Sequence, residues 1–132
     1  MISAVDFEAV LRDTLINDEG VSALVGNKVF PIVIPQGTAL PCITFQRLRS
    51  YPANTLSGAS GLEHVDLEID AWGTEYAQTK DVAKAVRLAM PTSGPWAAHL
   101  RYDSDDYEYT GPYYRVLMRF NVWFLENADE EQ

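Results

Sequence analysis

Between Gly61 and Met90 the spacing of apolar residues changes once, and the change falls at Trp72-Gly73. Before it, Val65, Leu67, Ile69 and Ala71 alternate with His64, Asp66, Glu68, Asp70 and Trp72. That is the period of a strand with one face in a core and the other against water or a second chain. After it, Tyr76, Val82, Ala83, Val86, Ala89 and Met90 fall on one helical stripe, with Gln78, Lys80, Asp81, Lys84 and Arg87 outside it. Thr74 reads as the N-cap, Glu75 sits in the first turn, Arg87 lies near the negative end and Pro91 stops the helix. A strand feeding a helix beside a sheet predicts a two-layer α+β domain.

The same reading extends to both ends of the chain. Ser3 as cap, Asp6 completing a box-like pair, and the buried stripe Phe7, Val10, Leu11 and Leu15 predict a helix from Ala4 to about Asp18, ended by Gly20. A second short helical turn through Val21, Leu24 and Val25 closes at Gly26, which makes a helical hairpin. Pro31, Pro35 and Pro41 assign Val29–Pro41 to an edge or a loop, because each removes a backbone donor. Ile43 and Phe45 begin a strand that pairs with Leu62–Trp72 across a loop from Ser50 to Ser60. Pro91–Pro95 is a linker, Ala98–Tyr102 a short strand and Asp103–Gly111 an acidic loop. The last strand, Tyr113–Phe124, has one apolar face made by Tyr114, Val116, Met118, Phe120, Val122 and Phe124. Its other face, Tyr113, Arg115, Leu117, Arg119, Asn121 and Trp123, mixes aromatics with arginine as protein contact surfaces do. The expected fold is an antiparallel or mixed four-stranded sheet, with an N-terminal helix hairpin and one long helix packed on one face.

Composition narrows the function. With 132 residues, 47% of them hydrophobic, the chain fits one packed core, assigned to residues 1–125. Glu126, Asp129, Glu130 and Glu131 leave 126–132 as a flexible acidic tail. A net charge of −9, with ten dispersed basic residues, argues against binding nucleic-acid phosphates. No apolar run reaches the roughly 20 residues that span a bilayer, and Met1-Ile2-Ser3 opens no signal peptide, so no membrane is expected and synthesis is placed in the cytosol. The single cysteine, Cys42, excludes an internal disulfide and reads as a small buried side chain.

No catalytic pattern emerges. His64 and His99 lie on different strands, and Asp66 and Asp70 read as solvated strand residues, so no metal site is expected. Asp103, Asp105, Asp106 and Glu108 lack the glycine turn and the distant bidentate glutamate of a calcium loop. Ser57-Gly58-Ala59-Ser60-Gly61 lacks the lysine and the setting of a phosphate cradle. Neither G-x-S-x-G nor H-E-x-x-H occurs, so neither catalysis nor a cofactor is expected.

The order of short motifs carries a resemblance. A helix ends in Leu24-Val25-Gly26; Val29-Phe30-Pro31, Pro35-Gln36-Gly37, Leu40-Pro41 and Ile43-Thr44-Phe45-Gln46-Arg47 follow. Ala71-Trp72-Gly73 precedes Tyr76-Ala77 and Val82-Ala83-Lys84-Ala85-Val86-Arg87, and Tyr114-Arg115-Val116 and Phe120-Asn121-Val122-Trp123 close the chain. This resembles the tail-completion, or tail-terminator, family of long-tailed bacteriophages and prophages over nearly its whole length. The resemblance implies a non-enzymatic virion protein that assembles as a ring, by family analogy a hexamer, on the head-proximal end of the tail tube. There it would stop tube growth and join the filled head. The implied partners are other copies of itself, the major tail tube protein and the head-tail connector proteins, with DNA passing through but not specifically bound. Assembly would take place in the host cytoplasm. Tyr113, Arg115, Leu117, Arg119 and Trp123 are then the expected ring or partner interface, and Tyr51, Asn54, Asp103, Asp105, Asp106 and Glu108 the residues that meet neighbours or line the lumen. Two other readings stay open: a neck or head-completion connector, and, from a different class, an acidic DNA mimic.

Overall fold

A computed structural model describes residues 4–55 and 58–125. Helix α1 (Ala4–Ile16) buries Phe7, Leu11 and Leu15, spaced four apart, as one stripe. It stops short of the expected Asp18, because that residue caps the next helix, α2 (Glu19–Val25), by accepting the Val21 N–H at 3.0 Å. Gly20 is therefore no stop signal and sits in the first turn of α2. Val21 and Val25 are buried while Leu24 faces solvent, and Gly26 ends the helix at φ +64°. The expected Ser3–Asp6 capping pair and the acidic tail 126–132 lie outside the described residues.

The described strands form a mixed five-stranded sheet, one strand more than expected. They are β1 (Val29–Pro31), β2 (Cys42–Thr55), β3 (Gly58–Gly73), β4 (Trp96–Glu108) and β5 (Tyr113–Leu125), in the order β1-β2-β3-β5-β4. The extra strand is β1, parallel to β2 through Val29–Ile43 to Pro31–Phe45, and all other pairs are antiparallel. Pro31 is tolerated because it ends an edge strand.

The hydrophobic period dictates which face is covered. Val65, Leu67, Ile69 and Ala71 of β3, and Val116, Met118, Phe120, Val122 and Phe124 of β5, are buried with Ile43 and Phe45 beneath the helices. Phe7 stacks on Phe124 at 4.9 Å and meets Trp96 edge-on at 5.4 Å, which pins α1 to the sheet. Helix α3 (Tyr76–Ala89) starts one residue later than Thr74 would set, with Glu75 at the N-cap. Thr79, not Tyr76, occupies the buried end of its stripe, donating from Oγ1 to the Glu75 carbonyl at 2.7 Å, while Tyr76 is 49% exposed. The crossing from β3 to α3 is so close that a Cβ on Gly73 would lie 2.3 Å from Thr79 Oγ1.

Two segments read as loops are strands. The Ser50–Ser60 segment continues β2 to Thr55 and β3 from Gly58, and the acidic segment continues β4 to Glu108 before a turn to Tyr113. The ladder passes over Leu48 between Arg47 and Arg49, and over Arg101 between Leu100 and Tyr102, one extra residue on β2 against β3 and one on β4 against β5. Both lie at one height, because Arg47, Leu67, Phe120 and Leu100 form a single row across the sheet.

Candidate functional site

The face of the sheet away from the helices is built from residues directly opposite one another on β3 and β5. His64 stacks on Trp123 at 4.0 Å and 7° and shares a 3.2 Å hydrogen bond with Asn121. One row on, Arg49 brings Nε and Nη2 to Asp66 Oδ2, each at 3.2 Å. Arg119 Nε donates to Glu68 at 2.9 Å, and Arg115 bridges Asp106 at 2.9 Å and Asp70 at 3.6 Å. Arg115 also lies 5.4 Å from the Trp72 ring, whose Nε1 donates to Thr44 Oγ1 at 2.9 Å, and Tyr113 meets Trp72 edge-on. Each of these three arginines thus touches a carboxylate.

Asp66 and Asp70 are not the solvated strand residues expected, being only 8% and 6% exposed. Long arginine side chains reach them from β2 and β5, Arg49 to Asp66 and Arg115 to Asp70, which alternation along β3 alone does not reveal. The consequence is sharpest at Asp70, whose carboxyl is pushed up to about 8 by burial first and by the neighbouring Glu68 second, against Arg115 and Arg119. Its Oδ1 is buried without a hydrogen-bond partner.

A second cluster joins α3 to β4 on the helix-bearing side. Asp105 accepts from Lys80 Nζ at 2.9 Å and from the Tyr76 hydroxyl at 2.8 Å, and these two bonds hold its carboxyl below the usual range. Asp103 faces Arg87 at 3.5 Å, and Tyr76, Tyr107 and Tyr114 pack ring against ring.

Sequence placed Tyr113, Arg115, Leu117, Arg119 and Trp123 on one strand face, and the register brings all five to the uncovered side. The four acids of β4 separate: Asp103 and Asp105 turn to α3, whereas Asp106 and Glu108 share the uncovered side with Arg115 and Tyr113. Tyr51 and Asn54 lie on the backbone of β2, and their side chains are outside the described residues. Sequence reasoning missed Lys80, Arg87 and Tyr107. The available signal was Tyr76, Lys80 and Arg87 on one helical face and Asp103, Asp105 and Tyr107 at strand spacing.

Among the described residues no group of three His, Cys, Asp or Glu side chains is arranged to hold a metal. Cys42 is buried and its thiol is pushed up to about 11 by that burial, the reverse of an activated nucleophile.

One solved structure similar to this chain is titled "Virion of native gene transfer agent (GTA) particle"; the match has a TM-score of 0.70 at 19% identity and covers 86% of this chain and 90% of that one. At that identity the likeness concerns the fold. Among curated proteins none matches the sequence significantly. The family described as "Tail completion protein gp17" matches residues 9–125, which takes in the described helices and strands from α1 to the end of β5. The chain belongs to this family of phage tail completion proteins, structural components of the virion.

Proposed function

We propose that the protein closes the head-proximal end of the tail tube as a ring of identical subunits, ends tail polymerisation and offers the surface on which the head connector seats. The observation that carries this reading is the uncovered sheet face, in a chain whose family match spans residues 9–125. It joins Trp72, Trp123 and Tyr113 to arginines whose charges are already met within the chain. Such a face mixes aromatics with paired charges as surfaces covered by protein do, and its paired arginines offer little to DNA phosphates. Binding by shape and surface, without a chemical step, is the role it fits. A net charge of −9 lets DNA pass a ring of such subunits without adhering.

Gene disruption followed by electron microscopy tests the proposal. The expected outcome is tails of uncontrolled length beside filled, unjoined heads. Normal joined particles would exclude a terminating role.

A further inference from the structure

A ring of identical subunits needs two different surfaces on each copy, one fitted to the other. Among the described residues the most exposed large hydrophobic side chain is Tyr109, 85% exposed at the turn that joins β4 to β5. It is held in place. Its ring meets Tyr107 edge-on at 4.9 Å, Thr110 Oγ1 donates to Glu108 Oε2 at 2.6 Å within the turn, and Gly111 leaves no room for a Cβ beside the Tyr113 ring. An aromatic ring fixed in water before anything covers it loses little freedom on binding.

The complementary surface follows β1. There the chain approaches the ends of β3 and β5, and Ile32, Val33, Thr38 and Leu40 line an open groove of about 370 Å³ with Trp72 and Tyr113. Clefts of roughly 300–1,000 Å³ seat whole small molecules, so one aromatic side chain fits here. The rim is strained. Ile32 takes φ +66°, a conformation that β-branched side chains avoid, and its N–H bond to the Phe45 carbonyl at 2.8 Å fixes it there. Ile32 and Val33 are left 63% and 66% exposed side by side. Backbone strain of this kind is found where a segment is shaped for contact.

The charges beside the two surfaces are opposite, and neither is paired. Lys28 Nζ donates to the Ala39 carbonyl at 2.8 Å, between the groove residues Thr38 and Leu40, and meets no acid among the described residues. Glu108, adjacent to Tyr109, meets no base among them. Within one chain the two surfaces stay apart, because Tyr109 leans on Tyr107, which packs with Tyr114 on the helix-bearing side, whereas Trp72 and Tyr113 stand on the other. Both lie at the end of the sheet where β4 stops and β2 starts, the turn at the β4 edge and residues 32–40 after β1 at the opposite edge.

Resting on the ring reading above, we propose that each copy inserts the Tyr109 ring into the groove after β1 of the next copy, with its Glu108 set beside the next copy's Lys28. Knob and groove stand at one height on opposite margins, as a head-to-tail contact requires. Covering the ring removes roughly 150–250 Å² from water, and an aromatic anchor in an apolar pocket is the usual centre of a protein contact. Thr38 Oγ1 already donates to the Pro35 carbonyl, so its lone pairs are left to accept from the Tyr109 hydroxyl. The charge pair fixes which margin meets which.

Photocrosslinking tests the contact directly. In rings assembled on tail tubes, Tyr109→p-benzoylphenylalanine should give on irradiation a ladder of covalent multimers, with residue 109 of one copy joined to residues 32–40 of the next. Tyr109→Ala and Val33→Asp change exposed side chains, so each should melt with the parent and lower the assembled fraction by about tenfold or more. Lys28→Glu and Glu108→Lys should each weaken assembly, and the double variant should restore it. Crosslinks that stop at dimers or run to a different protein, or parental assembly by Tyr109→Ala, overturn the knob-and-groove contact and leave the proposed function standing. Failure of the parent chain to form any ring on tubes removes both.

Discussion

Asp70 shows how far one side chain depends on residues remote in sequence. Its carboxyl titrates near 8 in the fold against 3.8 for an unperturbed aspartate, so between those values the folded chain holds a proton that the unfolded chain has lost. Its contribution to stability is therefore fully present below about pH 4 and is lost as pH rises through about 8. Asp70→Asn keeps the shape and removes the titration. The variant should match the parent near pH 4 and exceed it by several kcal/mol at pH 8, measured by urea unfolding at both values. A variant that loses stability at pH 8 would mean that the Arg115 pair holds Asp70 ionised. The alternation that put Val65, Leu67, Ile69 and Ala71 inside was readable because burial acts on every second residue of one strand. The burial of Asp66 and Asp70 was not, because Arg49, Arg115 and Arg119 reach them from other strands.

At the level of elements, the helices were legible wherever a stripe met a core, and less so at their ends. Phe7 carries α1 onto the sheet through Phe124 and Trp96, so Phe7→Ala should cost about 4 kcal/mol, read as a shift in the urea midpoint. An unchanged midpoint would mean that α1 is held chiefly by other contacts. The start of α2 was misread because Gly20 is a familiar stop, yet the carboxylate of Asp18 was free to satisfy the first turn. β4 was shortened for a related reason. A run with four acids has the composition of a loop, and what holds it extended is the alternation of its partners, Arg87 and Lys80 on one side and Arg115 on the other. The β2–β3 hairpin was read as a loop from its Pro, Asn, Ser and Gly content, a signal that does not register which way each residue points.

For the molecule as a whole, the α+β architecture and the division of the sheet into a covered and an uncovered face followed from sequence periods alone. The fifth strand did not, since the three residues of β1 are too few to show a period. Net charge was equally legible, but its distribution was not. On the uncovered face Arg49, Arg115 and Arg119 each meet an acid, and Asp103 and Asp105 are absorbed by α3. Much of the acidity that looked available to a lumen is thus engaged in internal pairing.

Around the row Arg47–Leu67–Phe120–Leu100, Leu48 gives β2 and Arg101 gives β4 one residue more than the β3 and β5 segments between them, and a surface longer at its flanks than along its centre line cannot lie flat there. Curvature is then held by two residues that have no cross-strand partner to lose. Excising Leu48 would leave Arg47 opposite Leu67 and Arg49 opposite Asp66 as they are. The expected product is a chain that melts within a few degrees of the parent and closes into circles of altered diameter in negative-stain images. Circles of unchanged diameter would place control of bore size elsewhere in the subunit.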